Sequence, residues 1–390
     1  MPNASYFGNW NYPTAIRFGT GRIKELPTIA RQQYIHHPLL VTDQGLVRLP
    51  IFALVCGILN DAKISYTVYS DIKPNPTGKN VEDGVNAYHQ AKCDGIIALG
   101  GGSALDAAKA IALMVGQKRS LWDFEDVGDN WTLVNAEGIA RCIAIPTTAG
   151  TGSEVGRASV ITSEVEHRKV IIFHPLMLPP VVIADPELTL NLPPHVTAAT
   201  GMDALSHCLE AYCAPTFHPI ADGIAMEGMR LVKEWLVVAH HEPHNIAARA
   251  HMLVASTMGA TAFQKGLGAM HALAHPLGAH YDAHHGLLNA ILMPYVLVAN
   301  APAIEEKMTR LAAFLGIKGK GTSVIIRWVE ELRLQLKIPH TLKEIGIDSD
   351  GAEQIASAAV HDPSAGGNPI SFDHDQYRAL FLHALTGTRK

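Results

Sequence analysis

The sequence predicts an α/β N-terminal domain with a parallel sheet, followed by an all-α C-terminal domain. Three observations carry the fold class. Up to about residue 190, short β-branched runs alternate with segments whose apolar residues recur at helical spacing, the pattern of a parallel sheet covered by helices. From Pro193 onward Ala, Met, Leu and His recur at helical spacing in long segments, while runs rich in Val, Ile, Thr and aromatics nearly vanish. A composition of 48% hydrophobic and 17% charged residues over 390 positions offers ample apolar surface for separate cores and excludes a disordered chain. The expected domains are 1–190 and 191–390.

In chain order, the strands read as Pro38 to Thr42, Ile64 to Tyr69, Gly95 to Leu99, Arg141 to Ile145 and Val181 to Ala184. Between them Val81 to Ala91 and Ser103 to Val115 read as helices. The helical half is interrupted near Gly266 to Gly268, at Gly316 to Gly321 and in the loop Asp362 to Pro369. No repeat or low-complexity tract is visible.

Charge and cysteine content narrow the function classes. With 31 Lys and Arg against 36 Asp and Glu, the net charge is −5, which argues against nucleic acid as a partner. The 5 cysteines form no C-x-x-C pair, so neither a zinc ribbon nor a disulfide framework is indicated, and a reducing cytoplasm is expected. The start of the sequence lacks a basic segment followed by an apolar run, so no secretory signal is expected. The apolar stretch Ile96 to Gly116 carries Asp106, Lys109 and three consecutive glycines, unsuited to a membrane span.

Two loops suit a nucleotide. Asp94 to Asp106 reads as strand, tight turn and helix, with Gly100, Gly101 and Gly102 letting the backbone approach an anion at the helix start. Ser103 is the expected N-cap, with Asp106 completing a capping box. The usual dinucleotide fingerprint is not met, because position 105 is Leu. Pro146 to Glu154 offers Thr147, Thr148 and Thr151 after the next strand. Asp43, ending the first strand, suits a ribose diol and would repel a 2′-phosphate, favouring NAD over NADP; a turn aspartate before Gly45 reads the same way.

Of 21 histidines, 16 lie from His195 onward. Asp203 and His207 are four apart on one helix face, and His271 and His275 repeat that spacing. His285 lies about 21 Å from His271 along a straight helix, so a shared metal requires a bend, for which Pro276, Gly278 and Asp282 are candidates. Three imidazoles and a carboxylate suit Fe(II) or Zn(II) rather than Mg or Ca. A histidine-rich surface is the competing interpretation.

Gly100 to Ser103, Pro146 to Glu154, Asp185 to Thr189, Thr200 to His207 and His271-x3-His275-Pro276-Leu277-Gly278-x6-His285-Gly286 together resemble the iron-containing (group III) alcohol dehydrogenases across nearly the whole sequence. The resemblance implies an NAD(P) domain and a metal-binding helical domain, with the active site in the cleft between them. It implies Asp203, His207, His271 and His285 as metal ligands and His275 near nicotinamide and substrate. Cofactor contacts are implied for Asp43, Asn75, Gly101, Gly102, Ser103, Thr147, Thr148 and Thr151, with Lys169 and Leu188 as weaker ones. NAD, one divalent metal with Fe(II) first and Zn(II) second, a small alcohol or aldehyde substrate and a homo-oligomer, dimer or larger, are the further expectations.

Some positions depart from the family pattern. Ala262 stands where Phe is usual, Lys265 adds a charge, and Gly156 replaces a common Thr. His280 and His284 occupy apolar or aromatic and proline positions, no Arg follows Pro369, and Ser364 falls where some members carry Cys. These suggest a polar pocket and an anionic ω-hydroxyacid or semialdehyde, bound through Lys265 or His280. A dehydroquinate synthase-like lyase and a metal-storage or scaffold protein are the competing functions.

Overall fold

The computed structural model describes residues 8–10, 14–166 and 168–388. The N-terminal residues read above for a secretory signal lie largely outside that set. The described chain divides into two compact units, one reaching to Thr148 and resuming over Gly152–Asn191, the other comprising Ala149–Thr151 and the chain from Leu192 onward.

The first unit contains β1 (Gly8–Trp10), β2 (Ala15–Phe18), α1 (Leu26–Gln32), β3 (Pro38–Val41), α2 (Pro50–Asp61), β4 (Thr67–Tyr69), α3 (Gly78–Ala91), β5 (Gly95–Gly100), α4 (Gly102–Met114), β6 (Cys142–Pro146), β7 (Ala158–Ser163), β8 (Arg168–Phe173) and β9 (Val181–Ala184). The main sheet runs β1-β2-β9-β6-β5-β3-β4. Every pairing from β2 to β4 is parallel, and β1 alone joins antiparallel at the edge.

Leu39, Leu40, Val41, Ile96, Ile97, Ala98 and Leu99 are all at 0% exposure, as expected for central strands covered on both faces. Burying each large aliphatic side chain is worth roughly 1.5–3 kcal/mol. Alanines 104, 107, 108 and 110 on α4 are buried too, which brings that helix close to the sheet.

The sequence reading misses β1, β2, the separate β7–β8 hairpin and the helices α1 and α2, and it starts β4 three residues early. The hairpin alternates buried and half-buried positions over Ala158–Ser163, a period-2 pattern hidden by its small polar residues.

The second unit is helical: α5 (Pro194–Cys213), α6 (Pro219–His241), α7 (Ile246–Ala262), α8 (Ala269–Tyr281), α9 (His285–Phe314), α10 (Thr322–Gln335), α11 (Ala352–His361) and α12 (His374–Thr386). Seventeen of the twenty residues of α5 are buried, so it is the central helix of this unit. The helix α9 is apolar and long enough to cross a membrane, yet 67% of its most apolar stretch is buried within the protein, as for a core helix.

Candidate active site

In the first unit the chain runs from β3 to β4 on one side and returns to place β5 on the other, so the strand order reverses between β3 and β5. The carboxyl edge at such a reversal is where open parallel sheets bind nucleotides. Asp43 follows β3 there, with Oδ1 accepting the Leu46 N–H at 2.9 Å. Gly100 ends β5 with φ +152; a Cβ on it would lie 2.7 Å from Ala104 Cβ, too close for any side chain, with Asp43 Oδ2 3.6 Å away, so only glycine fits there.

The second loop begins at the same level, since Gly100 and Pro146 are partners in register and the Thr147 N–H donates to the Gly100 carbonyl at 3.0 Å. A Cβ on Gly101 would stand 3.2 Å from the Thr148 side chain. Ser103 Oγ donates to the Pro74 carbonyl, which ties the first loop to the segment carrying Asn75. That segment is held by Asn80, whose Oδ1 accepts from Thr77 N at 3.0 Å and whose Nδ2 donates to the Asp71 carbonyl at 2.7 Å. Gly101, Gly102 and Ser103 stay partly exposed at the start of α4.

The expected capping box does not form. Gly101 is the N-cap and no side chain caps α4, because the helix starts two residues early and Ser103 turns to Pro74. Its first N–H groups therefore remain available to an anion. Asp106 instead accepts from Ser153 Oγ at 2.5 Å and Val160 N at 3.1 Å, while Lys109 beside it bonds the carbonyl of Ala158. Burial pushes the Lys109 ammonium pKa down. Asp106, read in the sequence as part of a capping box, and Lys109, noted there only as an obstacle to a membrane span, tie the helix of the first loop to the end of the second.

Other sequence candidates are placed differently. Leu188, just past the carboxyl end of β9, is 2% exposed and packs in the hydrophobic core. Lys169 is half-buried on β8 opposite Thr162, whose N–H donates to the Pro76 carbonyl at 2.7 Å. Thr151 belongs to the helical unit, unlike Thr147 and Thr148.

In the helical unit Asp203 and His207 leave one face of α5, His271 comes from the first turn of α8, and His285 opens α9. One donor atom from each of the four lies within 4.8 Å of all the others. The bend that this requires is made at Asp282, which caps α8 in the left-handed conformation with φ 50. Pro276 lies inside α8, and neither it nor Gly278 ends the helix.

The donors fit a borderline first-row ion, with three imidazoles and one carboxylate, of which Asp203, His207 and His271 are buried and His285 is partly exposed. Burial, against the upward pull of Asp203, lowers the His207 pKa to about 4, so its ring is neutral with a lone pair at pH 7. Burial also disfavours charge on His271, but Glu210 outweighs it and raises the pKa.

Residues around the donors fix their orientation. His271 donates Nδ1–H to Glu210 Oε2 at 2.6 Å, and Glu210 Oε1 also accepts the Met270 N–H at 2.7 Å. A carboxylate is only an acceptor, so His271 Nε2 is left facing the other donors. His275 donates Nδ1–H to Asp362 Oδ2 at 2.8 Å, and its ring stacks on His285 with centroids 5.4 Å apart. Phe263 packs on His207 at 5.0 Å. Glu210, Asn289 and Asp362 escape the sequence reading; Glu210 sits three residues beyond His207 and Asn289 four beyond His285, helical spacings that would have flagged them.

Lys265 does not offer a free charge. Its Nζ pairs with Asp222 and bonds the Tyr212 carbonyl at 3.4 Å, with the side chain 1% exposed, because the end of α5 and the start of α6 enclose it. His280 and His284 are exposed, and Ser364 is buried with its N–H on Asp362 Oδ1 at 2.8 Å.

Comparison with known proteins gives the same grouping of motifs. The family described as iron-containing alcohol dehydrogenase matches residues 13–186, and the Fe-containing alcohol dehydrogenase C-terminal family matches 197–385. The 4-hydroxybutyrate dehydrogenase of Cupriavidus necator is 35% identical over 383 residues, covering 96% of this chain and 99% of its own. A 1,3-propanediol oxidoreductase crystal structure superposes with TM-score 0.89 at 33% identity, covering 98% of both chains. The sulfoacetaldehyde reductase of Bifidobacterium kashiwanohense in complex with NAD+ gives TM-score 0.85 at 29% identity, covering 98% of this chain and 99% of that one. With both halves accounted for in order, the chain belongs to the iron-containing alcohol dehydrogenase family and is an oxidoreductase.

Proposed function

We propose that the protein transfers hydride between a small primary alcohol and NAD, in either direction, with one divalent metal held by Asp203, His207, His271 and His285. The observation that carries this reading is the convergence of those four donor atoms within 4.8 Å. Fe(II) is the first choice and Zn(II) the second, because the same donors accept both. When bound, the ion supplies Lewis acidity toward the alcohol or aldehyde oxygen and the nicotinamide accepts or returns the hydride.

The chain's own residues do the rest. Asp43, Asn75, Thr147, Thr148 and the N–H groups of Gly101, Gly102 and Ser103 bind and orient the dinucleotide, and the Asp43 carboxylate disfavours a 2′-phosphate. Thr151 and Lys169 are further candidate contacts. Leu188, just past the carboxyl end of β9, is a weaker apolar candidate contact. Glu210 holds the His271 tautomer. Asp362 does the same for His275, which leaves His275 Nε2 to hold or move the hydroxyl proton. Phe263 excludes water beside His207.

An ω-hydroxyacid or semialdehyde is the second reading, favoured by the 4-hydroxybutyrate dehydrogenase relative. A carboxylate substrate needs a cation, and Lys265 is already paired with Asp222, leaving only His280 of the two expected partners. The neutral substrate therefore ranks first. Steady-state kinetics on propanol and propanal against 4-hydroxybutyrate and succinic semialdehyde, with NAD(H) and NADP(H) and measured metal content, test both readings. Preference for the uncharged pair with NAD(H) is expected, and a clear preference for the acids would reverse the ranking. No turnover of any pair by metal-loaded protein would reject the function.

A further inference from the structure

Asn289 stands among the donors without being one of the four. It follows His285 by one turn of α9 and is 0% exposed. Its Nδ2 lies 2.9 Å from Asp203 Oδ1, 3.1 Å from His271 Nε2 and 3.2 Å from His285 Nε2. An amide nitrogen has two hydrogens, so three acceptors compete for two bonds. The amide oxygen is buried with no hydrogen-bond partner. A buried amide with an overloaded nitrogen and an orphaned oxygen is costly as packing alone.

The arrangement makes sense if the amide is a stand-in for positive charge. Its N–H groups point to three of the four atoms that a cation would take, and they satisfy lone pairs that would otherwise be buried and unpaired. When an ion takes the imidazole lone pairs, those two contacts are given up. The bond to Asp203 remains, because a carboxylate oxygen has a second lone pair.

We propose that Asn289 is a positioning residue for the metal centre, holding Asp203, His271 and His285 toward a common point before a divalent ion enters and orienting Asp203 afterwards. This rests on the reading of Asp203, His207, His271 and His285 as the ligands. Glu210 is bonded to one ligand only, whereas Asn289 acts through three, so its removal should change affinity and coordination geometry together.

The test uses full-length protein stripped with a chelator and titrated with Co(II), whose visible absorption reports coordination geometry. Asn289→Leu keeps the bulk and removes the donors; the expected result is Co(II) affinity lower by about 10-fold to 100-fold with a shifted absorption spectrum and unchanged NADH affinity. Asn289→Asp, which places an acceptor beside Asp203, should lower the Tm of the stripped protein and widen the gap between stripped and Co(II)-loaded Tm; it keeps the test open if the leucine variant fails to fold. Wild-type affinity and spectrum in the leucine variant, or an unchanged Tm gap in the aspartate variant, would overturn the proposal while leaving the metal site intact. Wild-type protein that takes up no Co(II) would overturn the ligand reading itself.

Discussion

Around Gly100 the α/β unit offers backbone N–H groups, small hydroxyls and one carboxylate on loops at the edge of a sheet. Around Asp203 the helical unit offers four large polar side chains from three helices, with Glu210 and Asn289 bonded to members of the set. The first arrangement recognises an extended ligand through many weak contacts, each replaceable in part. The second concentrates its chemistry at one point, where every donor depends on the others. Loss of a single side chain should therefore be graded in the first unit and close to absolute in the second.

Removing a ligand breaks the comparison most sharply. His271→Ala is expected to lose the metal and to lower kcat by about a thousandfold or more, since the Lewis acidity is worth several kcal/mol. Its NADH affinity should stay close to that of wild type, and chelation of wild type should give the same pattern. Elemental analysis beside NADH titration checks this; parallel loss of NADH binding would show that the two regions do not divide the work.

A smaller effect is expected one step from the ligands. Asp362→Asn keeps the shape but no longer requires Nδ1–H on His275, so kcat should fall roughly tenfold to a hundredfold with metal content unchanged. Stopped-flow hydride transfer on metal-loaded protein measures it, and an unaltered rate would leave His275 without a role in the proton's path.

In the α/β unit, Asp43→Asn should weaken NADH binding about tenfold, the scale of one hydrogen bond to a charged group, and bring NADPH closer to NADH. Metal content should not change. Titration with both cofactors gives the ratio, and an unchanged ratio would assign Asp43 to the turn at Leu46 alone.

The smallest effect is on acid stability. Burial raises the Asp362 pKa, but His275 and the Ser364 N–H outweigh it, so the carboxyl is held below its usual value. A depressed folded-state pKa contributes stability that is present above the unfolded value near 3.8 and is lost as pH falls through the folded one. The acid unfolding limb of Asp362→Asn should therefore be shallower than that of wild type below about pH 4. Identical limbs in urea titrations would mean that the pair contributes nothing.

How much of each region is legible in the sequence follows from the same contrast. Asp203 with His207, and His271 with His275, are visible because a helix turns an interval of four into one face. Glu210 to His271, Asn289 to Asp203 and Asp362 to His275 join residues 61, 86 and 87 positions apart; helical spacing puts Glu210 and Asn289 on the faces of His207 and His285, but no local pattern announces the distant partner of any of the three. The bend at Asp282 is similar: Pro276 is the louder signal, yet it is accommodated within α8. In the α/β unit the central strands are plain because they are continuously apolar, whereas the nucleotide edge is faint because its working atoms are backbone and its geometry depends on Gly100 having no Cβ beside Ala104. Lys265 shows the opposite failure: an apparent functional charge is absorbed by Asp222, 43 residues away.

Residues Ala149–Thr151 come before the end of the sheet in sequence but belong with the helices. A Cβ on Gly150 would lie 2.7 Å from Thr200 Cβ and 2.9 Å from the Thr200 carbonyl oxygen, three residues from Asp203. Recombination that exchanged the C-terminal half as a block after Asn191 would carry every helix but leave this strip behind. The recipient would have to supply its own small residue at the same place. The two halves are thus not freely interchangeable modules, and gene fission at their boundary would separate the helices from part of their own packing.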